Sequence, residues 1–183
     1  MMADIKPFKP VKLICGLIHS TVDIRQRAEK ELENEFGPVD LASPSFPFTC
    51  TEYYRREMGP ELYRCFLSFE KLRQPQELSE IKLKTNQIEE KFRLLFPHIL
   101  RPVNLDPGYL RSSALVMATT KDFAHRIPLM NGIYAHLELL FTRSGVKLLD
   151  WTYPDFRVNT YHQFFLQVRQ LYLKQLCSAG KMT

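Results

Sequence analysis

Lys121, Asp122, His125 and Arg126 fall within nine residues, TTKDFAHRI (119–127), directly after the apolar run ALVMA. An ammonium and a guanidinium at this density can hold a carboxylate or phosphate through charge-assisted bonds, and arginine can present two parallel N–H groups to it. His125, with an unperturbed pKa near about 6.5, can work as an acid or a base. A second cluster, DWTYPDFR (150–157), offers Arg157 as another anion donor and Asp155 to orient His125. Tyr153 stands there with Trp151 and Phe156 as an aromatic wall. In a third, NLDPGYL (104–110), Asp106 can accept a ligand hydroxyl or act as a base if turn amides hold it. Each cluster also has a plainer reading. The charges in the first two can simply pair with one another on surface loops, where an ion pair contributes about 0–1 kcal/mol. Asp106 can merely start a turn, with Tyr109 covering a sheet edge.

Other chemistries lack their residues. GxxxxGK[ST] does not occur, no GxGxxG follows a strand, and there is no GxSxG nucleophile elbow. The triplet His19-Ser20-Thr21 has no second copy, as two-histidine phosphoester chemistry requires, and Ser20 is better read as a helix cap. Cys15, Cys50, Cys65 and Cys177 form no CxxC pair and no zinc-ligand spacing, so reduced thiols are expected, with no metal and no cofactor. Cys15 reads as inert core, and His136 as an ordinary polar contact.

The elements that must position these groups are marked by periodicity. VKLICGLIH (11–19) is a central strand. STVDIRQRAEKELENEFGP is a helix capped by Ser20 with Asp23, ended by Gly37-Pro38, with Ile24, Ala28, Leu32 and Phe36 on its buried stripe. Pro44 and Pro47 confine residues 39–48 to an edge strand or extended loop. TEYYRREMG reads as a short helix, and LYRCFLSF (62–69) as a strand. QPQELSEIKLKTNQIEEKFRLLFP is the longest helix, with Leu78, Ile81, Ile88, Phe92 and Leu95 on one face and Thr85 interrupting it. PVNLD is a strand closed by a type II turn at Asp106-Pro107-Gly108. SSALVMATT (112–120) is the next strand. Asn131-Gly132 is a turn, IYAHLELLF is an alternating strand, TRSG closes a hairpin onto VKLLDW, and a last helix starts at a capping box of Thr160 and Gln163.

This order predicts an α+β fold. A mainly antiparallel sheet has a ferredoxin-like βαββαβ core with helices on one face, a C-terminal strand extension and a C-terminal helix. A strand of eight residues spans roughly 26 Å. The predicted hairpin therefore sets Asp106 far from Lys121, while the strand of 146–151 returns DWTYPDFR toward residue 132. TTKDFAHRI and DWTYPDFR are coupled and NLDPGYL stands apart.

With 183 residues, 45% of them hydrophobic, one domain is expected over 1–183, with an ordered core from about 10 to 177 and short flexible termini. No apolar run is long enough to cross a bilayer and the start lacks a signal-peptide pattern, so a cytoplasmic location with no membrane partner is expected. The net charge of +5 favours anionic partners, although Lys and Arg are spread along the chain.

The ordered set FGPVDLASPSFPFTCTEYYRREMG, IKLKTNQIEEKF, VNLDPGYL, ATTKDFAHRI and WTYPDFR resembles a family of small bacterial proteins classed as a domain of unknown function. The likeness runs from about Pro10 to Leu173. It implies no established activity. Members often carry a GTP-binding label, which a chain without a phosphate loop does not support. The family tends to have an aromatic residue where this chain has Pro128 and an acidic one where it has His136, so neither position is given a catalytic role.

The expectation is an anion-binding domain. Lys121, Arg126 and Arg157 hold a nucleotide or phosphorylated metabolite, Asp106 and Tyr153 contact it, His125 is the acid or base and Asp155 orients it. An alternative is an RNA-binding module, with Arg64, Phe66 and Ser68 on one strand face and Tyr53, Tyr54, Arg55 and Arg56 as a second patch. Another is a scaffold protein without a ligand.

Overall fold

The computed structural model describes residues 4–179. The expectation of flexible termini falls partly on residues outside that range. Nine strands form one continuous antiparallel sheet, and its main path runs β2-β4-β1-β5-β6-β8-β7. The strands are β1 (Val11–His19), β2 (Val39–Ala42), β3 (Phe46–Pro47), β4 (Tyr63–Arg73), β5 (Val103–Arg111), β6 (Ala114–Thr119), β7 (Ile127–Pro128), β8 (Tyr134–Thr142) and β9 (Gly145–Lys147). The helices are α1 (Val22–Phe36), α2 (Arg55–Met58), α3 (Leu78–Leu95) and α4 (Asn159–Ala179). The order β2-β4-β1-β5, with α1 and α3 as crossovers, is compatible with the ferredoxin-like core.

β1 is buried along its whole length because both faces of the sheet are covered. Leu13, Cys15 and Leu17 face α1 and α3, packing with Ile24, Ala28, Leu32, Ile81, Ile88 and Phe92. Ile14 and Phe66 face the other way, against Phe156, Tyr161, Phe164, Phe165 and Val168. Helices on one face alone therefore do not describe the molecule: α4 closes the second face. Its apolar stripe needed a partner, and the alternate residues of the same strands supply it.

Several local expectations change. Thr21, not Ser20, caps α1, its Oγ1 accepting from Ile24 N at 3.3 Å. Leu95 is exposed and Thr85 is buried, its hydroxyl donating to Lys82 O. Helix α4 begins at Asn159, so Thr160 lies inside it. No turn forms at Asp106-Pro107-Gly108, because β5 runs straight through them and the hairpin to β6 lies at Ser112-Ser113. The ladder with β6 starts only at Gly108, so Pro107 stands where that edge of β5 is unpaired, a position that suits a residue without an N–H.

The alternation in β8 is broken by a bulge. Leu115 and Val116 of β6 face Leu139 and Leu137, leaving Glu138 as the extra residue. As a result Leu139 and Phe141 pack toward α4, whereas Ile133, Ala135 and Leu137 pack on the opposite face with Leu78. His136 and Glu138 are fully buried.

Candidate functional site

Strand β5 pairs with β1 from Val103 to Leu110, but with β6 only over residues 108–111. Beyond Met117, β6 stays with β8 and leaves β5. The exposed ladder edge of β5 must be satisfied by something else. Helix α3 does this: Leu105 N donates to Glu89 Oε1 at 2.7 Å, and Leu105 O accepts from Lys82 Nζ at 2.8 Å. Lys82 lies on the buried stripe of α3 and is only 6% exposed.

Where the strands part, a cleft of about 690 Å³ opens. Its floor holds Arg64, Asn104, Asp106 and Met117, and its walls come from residues 48–54, 118–126 and 153–156. Five cationic side chains line it (Arg64, Lys82, Arg101, Lys121 and Arg126) against two carboxylates, Asp106 and Asp155. Phe48, Tyr53, Tyr54, Phe123, Tyr153 and Phe156 add aromatic surface.

The floor is organised around Arg64. Its Nη1 donates to Asp106 Oδ2 at 2.8 Å and lies 4.0 Å from Asp155 Oδ2, and its guanidinium sits over the rings of Phe66 and Phe156. Asn104 Nδ2 also donates to Asp106 Oδ2, at 2.7 Å. Burial disfavours the charge on Arg64, but Asp106 and Asp155 outweigh it and raise its pKa. The two carboxylates are driven apart. Burial alone would raise Asp106, yet Arg64, Lys82 and Arg101 hold it below the usual carboxylate range. Asp155 is raised, chiefly by burial, with the charge of Asp106 adding to it and Arg64 opposing it. Its Oδ2 is buried without a hydrogen-bond partner.

One wall is built on Arg126, which is 8% exposed. Its Nε donates to His136 Nδ1 at 3.2 Å, its Nη1 to Lys121 O at 2.8 Å, and its Nη2 to Tyr153 Oη at 2.7 Å. Behind it, His136 stacks on Tyr153 and its Nε2 lies 2.8 Å from Glu138 Oε2, while Glu138 Oε1 accepts from Tyr153 N at 2.7 Å. This buried chain ties the TTKDFAHRI segment to DWTYPDFR. Lys121 is exposed at the mouth, with Nζ 4.5 Å from the centre of the Tyr53 ring, and has no carboxylate partner among the described residues. Arg101 lies over the Tyr54 ring and binds Glu89 and Asn104 through Nη2.

Of the residues singled out from sequence, Lys121, Arg126, Tyr153, Asp155 and Asp106 all line this cleft. NLDPGYL does not stand apart, because the turn that would have separated it is absent. Arg157 and His125 are not in the lining. Arg157 donates to the carbonyls of Leu149, Asp150 and Thr152, closing the loop that carries Tyr153. His125 stacks on Trp151 with centroids 5.1 Å apart and meets His136 edge-on. Burial, then His136 and Arg126, lower its pKa. Among the described residues no hydrogen bond joins it to Asp155.

Sequence reasoning missed Lys82, Arg101 and Asn104, and assigned Arg64 to a different surface. Position 82 lies four residues past Leu78, so a lysine on an otherwise apolar stripe was the available signal. Arg64, Phe66 and Ser68 do share a strand face, but Phe66 is covered by Phe156, Tyr161, Phe164 and Phe165, so it offers no platform for stacking bases. No group of three or more His, Cys, Asp or Glu placed to hold a metal ion occurs among the described residues, nor does a helix long and apolar enough to cross a membrane.

The chain belongs to a family described as a domain of unknown function (DUF4416), whose model matches residues 9–172. Comparison with curated proteins and with solved structures gives no match.

Proposed function

We propose that this member of the DUF4416 family binds an anionic small molecule, a nucleotide or a phosphorylated metabolite, in the cleft between the parted strands β5 and β6. The observation that carries this reading is the excess of cationic over acidic side chains in one concave, aromatic-walled space. Lys121, unpaired at the mouth, meets the anion first, and Arg101 joins it. Arg126 contributes less directly, since three of its donors already hold the wall together. Tyr53 and Tyr153 supply flat apolar surface. His125 and Arg157 act behind this surface, His125 by stacking on Trp151 and Arg157 by fixing the loop of residues 149–152.

A thermal melting panel of nucleotides, sugar phosphates, inorganic phosphate and simple carboxylates tests the reading. A ligand at about 100 times its Kd stabilises the fold by about 2.7 kcal/mol. In a chain of this size that raises Tm by roughly 5–10 °C. The rise is expected to shrink in Lys121→Ala. No shift with any anion would remove the proposal, and RNA retention that falls steeply with salt in its place would point to nucleic-acid recognition.

A further inference from the structure

We infer that the ligand is a hydroxyl-bearing phosphate ester of the sugar-phosphate class, oriented by a hydrogen bond from one of its hydroxyls to Asp155. The inference rests on the anion-binding reading and adds the chemistry of the other end of the molecule. Asp155 is 8% exposed, its Oδ2 has no partner, and it lines the cleft. A buried polar atom left unsatisfied is costly unless something completes it. Because Asp155 lines the cleft, a bound ligand can be what completes it.

The neighbourhood selects which donor fits. A metal ion or a ligand ammonium would have to approach beside the Arg64 guanidinium, whose Nη1 already stands between the two carboxylates at 2.8 Å and 4.0 Å. Two like charges at that range oppose one another. A neutral hydroxyl brings a donor without a charge. Asp106 has Oδ2 engaged by Arg64 and Asn104, and its side chain is 28% exposed, so it offers a second acceptor on the same floor. The cleft is then graded, with carboxylate acceptors and Arg64 at its base and Lys121 unpaired at its mouth. A molecule with hydroxyls at one end and a phosphate at the other matches both.

Isothermal titration with ribose 5-phosphate, n-pentyl phosphate and inorganic phosphate, on the wild-type chain, Asp155→Asn, Asp155→Ala and Lys121→Ala, decides the matter. In the wild type, ribose 5-phosphate is expected to bind at least about tenfold more tightly than n-pentyl phosphate, the scale of one hydrogen bond to a charged group. Asp155→Ala should abolish that preference while inorganic phosphate still binds, and Asp155→Asn, which keeps an acceptor oxygen, should retain part of it. Lys121→Ala should weaken all three ligands together. Equal affinity for the two esters, or a preference that survives Asp155→Ala, overturns the hydroxyl assignment and leaves the anion site standing. Absence of binding by all three phosphates overturns both. Circular dichroism and the melting curve of each variant verify that it is folded.

Discussion

Arg64 on β4 reaches Asp106 on β5 by crossing over the strand between them, and it crosses at Gly16. Gly16 is paired with Phe66 on one side and with Asp106 on the other, and a Cβ built there would lie 2.7 Å from Arg64 Nη2. The glycine is required for space, not for an unusual backbone angle. It lets a buried guanidinium lie flat across the sheet and organise two carboxylates that face the cleft.

Gly16→Ala should therefore push Arg64 off Asp106. Overpacking of this kind costs about 1–3 kcal/mol. The expected result is a folded protein with a lower Tm and weakened anion binding. Gly108→Ala should be worse, since its Cβ would come within 2.5 Å of the backbone oxygen of Val116, which cannot rotate away. Thermal unfolding of the two variants, with equal Tm values as the contrary result, checks the difference.

The two carboxylates beside Arg64 should respond oppositely to neutralisation. Asp106→Asn leaves a buried guanidinium without its close partner and should cost on the order of 2–4 kcal/mol near neutral pH. Asp155→Asn removes a buried carboxylate whose Oδ2 accepts no hydrogen bond and lies 4.0 Å from Arg64, and should leave stability unchanged or increase it. The pH dependence follows from the directions of the shifts. Asp106, depressed in the fold, contributes stability that is present above its unfolded pKa of about 3.9 and lost as pH falls through its lower folded value. Asp155, raised in the fold, contributes stability that is present below about 3.9 and lost as pH rises through its higher folded value. The deficit of Asp106→Asn relative to wild type should thus be present above about pH 4 and shrink as pH falls below it, whereas the advantage of Asp155→Asn should be absent below about pH 4 and develop as pH rises above it. Parallel curves for both variants would contradict this assignment.

Lys82→Met removes the donor that serves Leu105 O where β6 has parted from β5. A buried carbonyl left unpaired costs about 1–3 kcal/mol. Glu89→Gln weakens the bond to Leu105 N, so exchange of that amide proton should accelerate. Hydrogen exchange read at Leu105 is the measurement, and unchanged protection would show that α3 does not substitute for the missing strand.

Arg157→Ala should lower Tm without altering the affinity for a small anion. Its guanidinium ties together three carbonyls of residues 149–152 but does not line the cleft. The side chain is exposed, so the loss should be only about 1 kcal/mol. A large fall in anion affinity, measured by titration with inorganic phosphate, would place Arg157 in the binding surface after all.

The α+β class, the stripe of α1 and the gathering of polar groups after the strands were legible in the sequence, because these follow from local periodicity. Ile24, Ala28, Leu32 and Phe36 are buried as their spacing requires. The sequence also placed Lys121, Arg126, Tyr153 and Asp155 together through the return of the chain along β8. What it did not contain was the fate of Asp106-Pro107-Gly108. Those residues have the local chemistry of a turn, and only pairing with β1 across ninety positions draws them into a strand. The same holds for Lys82 and Arg64. Their charges sit in elements whose pattern otherwise signals core, and they are tolerated only because partners distant in the chain, Leu105 and Asp106, complete their bonds. Local propensity decides which elements form; the tertiary structure decided which charges could be buried, because that depends on partners that no short stretch of sequence carries.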